Sequence, residues 1–184
     1  MLSVAERLEI MFTKNSRNRY DKKDSLELGQ QAEDQFARLA VRQGFKINAS
    51  TGRGNMDEHF DYVMERDGKT FKVDVKSIKR LSRRDGLTQD TYVWIELHGV
   101  RADDKGWLYD GKADLIAFEL VKTFRIVDRL ELIALVENLV DFDAKVSSPK
   151  DALYKIYSRK SRPDLLTMIR AEDLKSIRHG EWRK

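Results

Sequence analysis

The stretch HFDYVMERDGKTFKVDVKS, His59 to Ser77, constrains this chain more than any other. Its centre, Asp67–Gly68, is a two-residue turn whose residues tolerate positive φ, the strongest short signal for a β-hairpin. Such a turn fixes the register. Arg66 is expected opposite Lys69, Met64 opposite Phe71, Asp61 opposite Asp74 and His59 opposite Lys76. Side chains alternate along a strand, so Asp61, Asp74 and Lys76 share one face while Val73 and Val75 turn to the other, toward a core.

That register sets a problem in electrostatics. Directly opposed side chains have Cβ atoms ~5 Å apart, and like charges there destabilise a sheet. Two arrangements offset the repulsion of Asp61 and Asp74. A divalent cation between them is one, and hard oxygen ligands suit magnesium or manganese. A solvated sheet face with Lys76 as counter-charge is the other. The segments on either side bear on the choice. Upstream, LELGQQAEDQFARLAVRQGF predicts a helix from about Leu26 to Gln43, with Gly44 as its stop. Glu33, Phe36, Ala37 and Ala40 recur at the spacing of one helix face. An acid on such a face is costly unless paired or bound to a metal. Downstream comes a basic run with Lys79, Arg80, Arg83 and Arg84, and Arg53 stands in a glycine-flanked loop before the hairpin. These cations are candidate phosphate contacts, or members of a solvated charged loop.

The remaining sequence frames the hairpin. The 184 residues fit one domain, with residues 1–25 expected as an N-terminal helix (4–12) and basic arm, and 26–184 as the domain proper. Hydrophobic residues at 41% suffice for a core, and the net charge of +4 permits nucleic-acid binding without requiring it. The absence of cysteine excludes disulfides, thiolate metal sites and cysteine nucleophiles, and is expected of a reducing compartment such as the cytoplasm. No apolar run approaches the ~20 residues of a membrane span, and the three scattered histidines do not suit a zinc site. TYVWIEL (Thr91–Leu97) reads as a strand, WLYDGKADLIAFEL as two short strands about Asp110–Gly111, and FRIVDR as another strand. LELIALVENLVDF reads as a buried helix, YKIYSR as a strand, and the order is that of a mixed α/β domain. Trp107 and Tyr109 are expected in the core, Asp114 in a turn, and Glu96 at the surface or as an accessory acid.

The order of elements, a helix acid, then Asp61, a twelve-residue gap and Asp74-Val75-Lys76, resembles the PD-(D/E)XK nuclease superfamily. The resemblance runs from about Leu26 to Glu119 and rests on Glu33, Asp61, Asp74 and Lys76; Phe60 stands where the family often has proline. It implies a restriction-endonuclease-like core, a central mixed β-sheet flanked by helices. It also implies a metal-dependent nuclease acting on DNA, with Mg2+ as cofactor and Mn2+ as substitute. Glu33, Asp61, Asp74 and the Val75 carbonyl would hold the metal, and Lys76 would orient the attacking water. Phage and mobile-element enzymes, and homodimers, occur among such nucleases. Two other readings stay open at this point: a non-catalytic nucleic-acid-binding module on the same fold, and an interaction protein whose helix at Leu130–Val140 forms a subunit interface.

Overall fold

The structure is a computed structural model that describes residues 14–50, 58–80, 89–99, 105–159 and 162–184, with side chains from 26 onward. The expected helix at 4–12 and the cations Arg53, Arg83 and Arg84 lie outside the described residues.

Helix α1 spans Lys14–Arg42. It begins well before Leu26, so the stretch expected as an arm is helical from Lys14 and the boundary after residue 25 falls inside α1. The charged residues there are compatible with helix, and no proline interrupts them. The stop at Gly44 is as expected. Gly44 adopts φ +81, its N–H bonds Val41 O, and the Phe45 N–H reaches back to Ala40 O. This paired closure satisfies carbonyls that the helix end would leave open.

Among the described residues, ten strands form two sheets. The first has six strands, β1 (Lys46–Ala49), β2 (Tyr62–Arg66), β3 (Lys69–Lys76), β5 (Leu115–Glu119), β6 (Thr123–Asp128) and β10 (His179–Arg183), in that spatial order. The second has four, ordered β4 (Tyr92–His98), β9 (Arg162–Arg170), β8 (Lys155–Arg159) and β7 (Asp141–Val146). The first sheet is mixed: β3 runs parallel to β5, and its other neighbouring pairs are antiparallel. The expected mixed sheet is therefore present, and β4 has left it to join a second one.

Alternation along β5 divides the core in two. Ala117 faces α1 with Phe36, Met64, Val73 and Phe124. Ile116 and Phe118 face the other way, onto Val93, Ile95 and Leu97 of β4 and onto helices α2 (Gly106–Asp110) and α3 (Arg129–Leu139). Phe36 is fully buried, and replacing such a ring with alanine costs about 3–5 kcal/mol. The WLYD segment is a helical turn, α2, and not the expected strand. Gly106 takes φ +73 against the β4 backbone, where an added Cβ would meet Glu96 O at 2.8 Å. Trp107 and Leu108 then reach the core. Helix α3 is buried along one stripe only, Leu132 and Val136, while Leu130 is exposed. Among the described residues no helix is long and apolar enough to cross a membrane.

Candidate active site

The hairpin has the expected register from Arg66↔Lys69 to Tyr62↔Val73. One residue further, the Asp61 N–H donates to Val73 O at 2.8 Å, which sets Asp61 beside Asp74. Val73 and Val75 pack toward α1, so alternation turns Asp74 and Lys76 to the opposite face. There Asp74 pairs with Ile116 and Lys76 with Phe118 of β5. Helix α1 crosses the valine face and brings Glu33 to the end of the strands. Gly29, Glu33, His59, Asp61, Asp74, Val75, Lys76, Ser77 and Lys79 line one open hollow of about 280 Å³.

Each charge has a traceable environment. The Asp61 carboxylate accepts the Val75 N–H at 2.7 Å. Burial first, then the neighbouring Asp74 charge, pushes the Asp61 carboxyl up to about 7, with the Val75 N–H and Lys76 pulling the other way. Glu33 is also raised, by burial and then by Asp34 and Asp74. Asp74 is buried, and its Oδ2 lies 2.6 Å from Lys76 Nζ. That contact is an ion pair without the direction of a hydrogen bond, because the same buried oxygen has no hydrogen-bond partner. The Lys76 ammonium also lies 4.6 Å from the centre of the Trp107 ring, an attraction worth roughly 0.5–2 kcal/mol. Lys79 is exposed as a residue, yet crowding of its ammonium and then the Lys76 charge lower its pKa, against Glu119. Solvent access limits that desolvation.

Four expected site residues, Glu33, Asp61, Asp74 and Lys76, thus meet at one hollow, with Val75 in its wall. Asp61 engages Val75 through its N–H, and the Val75 carbonyl expected as a ligand belongs to the next peptide unit. Among the described residues no three acids or histidines stand close enough together to grip an ion as drawn. Lys76 neutralises Asp74 instead. The chemistry of the donor set nevertheless fits a divalent cation. The donors are carboxylate oxygens, one buried oxygen lacks a directed bond, and burial, with the Asp74 charge second, raises Asp61. Lys79 lines the hollow, and Arg80 follows it at the surface.

Of two further wall residues, Gly29 carried no weight in the sequence, and His59 was expected opposite Lys76. Gly29 lies one helical turn before Glu33, and a Cβ there would meet nothing within 4 Å. A glycine costs about 1 kcal/mol inside a helix relative to alanine, so its mid-helix position was an available signal. His59 takes φ +51, a left-handed turn that ends the hairpin pairing before Lys76 is reached. Trp94 and Glu96 lie on β4, in the other sheet, and Asp114 accepts the Lys72 N–H of β3, a long-range bond and not the turn chemistry expected of it.

No protein-family profile matches the sequence, and no curated protein does. Among solved structures, that of a bacterial homing endonuclease is similar at 18% identity and a TM-score of 0.43, over 58% of this chain and 70% of that one. So shallow a likeness carries no residue from one chain to the other, and the reading of the site rests on its own geometry.

Proposed function

We propose that the hollow is the active site of a metal-dependent nuclease that hydrolyses phosphodiester bonds in DNA, organised as in the PD-(D/E)XK superfamily. The observation that carries this reading is the meeting of Asp61, Asp74, Lys76 and Glu33, from two strands and a helix, at one open hollow with an unsettled surplus of negative charge. Asp61 and Asp74 would hold Mg2+ or Mn2+, and Glu33 would complete the set directly or through water. When bound, the cation supplies Lewis acidity toward a phosphoryl oxygen and eases deprotonation of water near neutral pH.

The chain's own residues do the rest. Lys76, whose ammonium lies 2.6 Å from Asp74 Oδ2, would orient the attacking water or a phosphoryl oxygen. The Trp107 ring, 4.6 Å from that ammonium, attracts it. Lys79, at the mouth, offers a second cation to the phosphate, and Arg80 extends the positive rim. Asp61 holds the β3 backbone through Val75, so one carboxylate serves both charge and shape.

The test is cleavage of linear, nicked, flapped, four-way and single-stranded DNA, and of RNA, with Mg2+ or Mn2+. Cleavage of DNA by the wild type, abolished in Asp74→Ala, is the expected outcome. Equal rates for the two proteins would remove Asp74 from the site. Binding of DNA with no cleavage under either metal would make the chain a binding module.

A further inference from the structure

The strand that carries Asp74 and Lys76 ends at Lys76, in the wall of the hollow. Its continuation is tied to the second sheet. The Gln89 N–H and side-chain amide both donate to Lys79 O at 3.3 Å, and Gln89 Oε1 accepts the Tyr92 N–H at 2.8 Å. One residue on, the Trp94 indole N–H donates to Arg80 O at 3.4 Å. Trp94 in turn lies 5.8 Å from the ring of Tyr157 on β8. The two rings lean together across β9, where Trp94 pairs with Met168 and Tyr157 with Leu166. Val93, Ile95 and Ile169 fill the inner face of this sheet, so Trp94 and Tyr157 belong to its outer face. Beyond Tyr157, Arg159 stands directly opposite Arg162. Two cations so opposed destabilise a hairpin. Asp164, largely buried, neutralises Arg159, and the Arg162 guanidinium is exposed.

We propose that this outer face, along Arg80, Trp94, Tyr157 and Arg162, carries the DNA beyond the hollow. Its occupant rests on the nuclease reading above; the track itself is built of contacts that begin at the hollow's rim. Cations stand at both ends of the track and aromatic rings in its middle. Phosphates suit the ends, where Arg80 and Arg162 are exposed, Arg159 being already paired with Asp164. Glu96 shares the face, opposite Leu166, and disfavours a phosphate there. The rings therefore meet sugar and base edges.

The experiment is binding of a labelled DNA duplex without divalent metal, read against salt concentration. The Arg80→Ala/Arg162→Ala pair should bind more weakly, with the slope of log affinity against log salt flattened by about two units, near one for each phosphate no longer neutralised. Arg162→Ala alone, an exposed change, should remove about one unit, and Arg162→Lys should restore it. DNA should also quench tryptophan fluorescence, and Trp94→Phe should abolish the quenching. Unchanged slope and quenching in a protein that still cleaves DNA overturn the track and leave the site reading intact. The expected weakening in a protein that never cleaves supports the track and overturns the site reading. A wild type that does not bind DNA overturns the track.

Discussion

Asp74 and Glu119 stand on neighbouring strands, β3 and β5, each largely shielded from water, and they are treated very differently. Both Glu119 oxygens are used: Oε2 accepts the Ile78 N–H at 2.9 Å and Oε1 meets Lys184 Nζ at 2.6 Å. Asp74 has one lysine in poor direction, a buried oxygen without a hydrogen bond, and a second carboxylate beside it. A fold that can settle one acid completely leaves another, on the adjoining strand, unsettled. Glu119 fastens the exit of β3 to Lys184, the residue that follows β10, whereas Asp61 holds the Val75 N–H through one oxygen and Asp74 meets only Lys76 in an ion pair. Buried polar groups are ordinarily satisfied, and the proposed cation would satisfy this one.

The sharpest way to break this contrast is to delete each acid. Asp74→Ala should bring cleavage to background while leaving thermal stability unchanged or raised, since a repulsion goes with it. Glu119→Ala should do the reverse in kind, leaving two partners unsatisfied. A drop in thermal stability with Asp74→Ala as large as with Glu119→Ala would make both acids structural.

The pH dependence of the metal-free protein gives the next effect. Asp61 is raised from 3.8 to about 7, so the folded state binds its proton more tightly than the unfolded state does. Stability from this group is greatest near pH 4 and is lost as pH rises toward 7, by at most about 4 kcal/mol. Partial exposure reduces that figure. Denaturant melts at pH 5 and pH 8 without metal should show the loss, and Asp61→Asn should flatten it. Mn2+ should restore stability at pH 8 more than at pH 5. A metal-free protein equally stable at both pH values would mean the acids are not in conflict.

Lys76→Ala should lower turnover by about 10²-fold, the scale of a positioned proton-transfer or orienting group. Its affinity for Mn2+ should hold or rise, because a protonated lysine offers no lone pair and its removal bares Asp74. Affinity falling as far as in Asp61→Ala would contradict the role. The Glu119→Ala loss of stability is expected at about 1–3 kcal/mol, checked by denaturant melts. Gly29→Ala is expected to stabilise α1 by up to about 1 kcal/mol, since the added methyl meets nothing. Its cost should fall on substrate affinity, read as a raised KM.

The parts of the site written in local chemistry were legible in sequence. Asp67–Gly68 set a register, and the register brought Asp61 to Asp74; Gly44 stopped α1; the Glu33 periodicity put an acid at the edge of a buried face. Long-range choices were not legible. Strands β7 and β10 are polar and mostly exposed, and β10 is held by Trp182, which stacks on Phe36 at 5.1 Å, a contact no local pattern announces. WLYD was apolar enough for a strand and became a helix through the Gly106 approach to β4. The departure of β4 to its own sheet depends on pairing with β9, far along the chain. Glu119 was invisible for the same reason: its partners are Ile78 and Lys184.

The central claim, that Asp61 and Asp74 hold charge for a cation and Glu119 holds it for the fold, is tested most directly by calorimetric titration of Mn2+ at pH 8. The account expects binding by the wild type and by Glu119→Gln, and its loss in Asp74→Ala. Binding by Asp74→Ala as tight as that of the wild type, or none by a folded wild type, would contradict it.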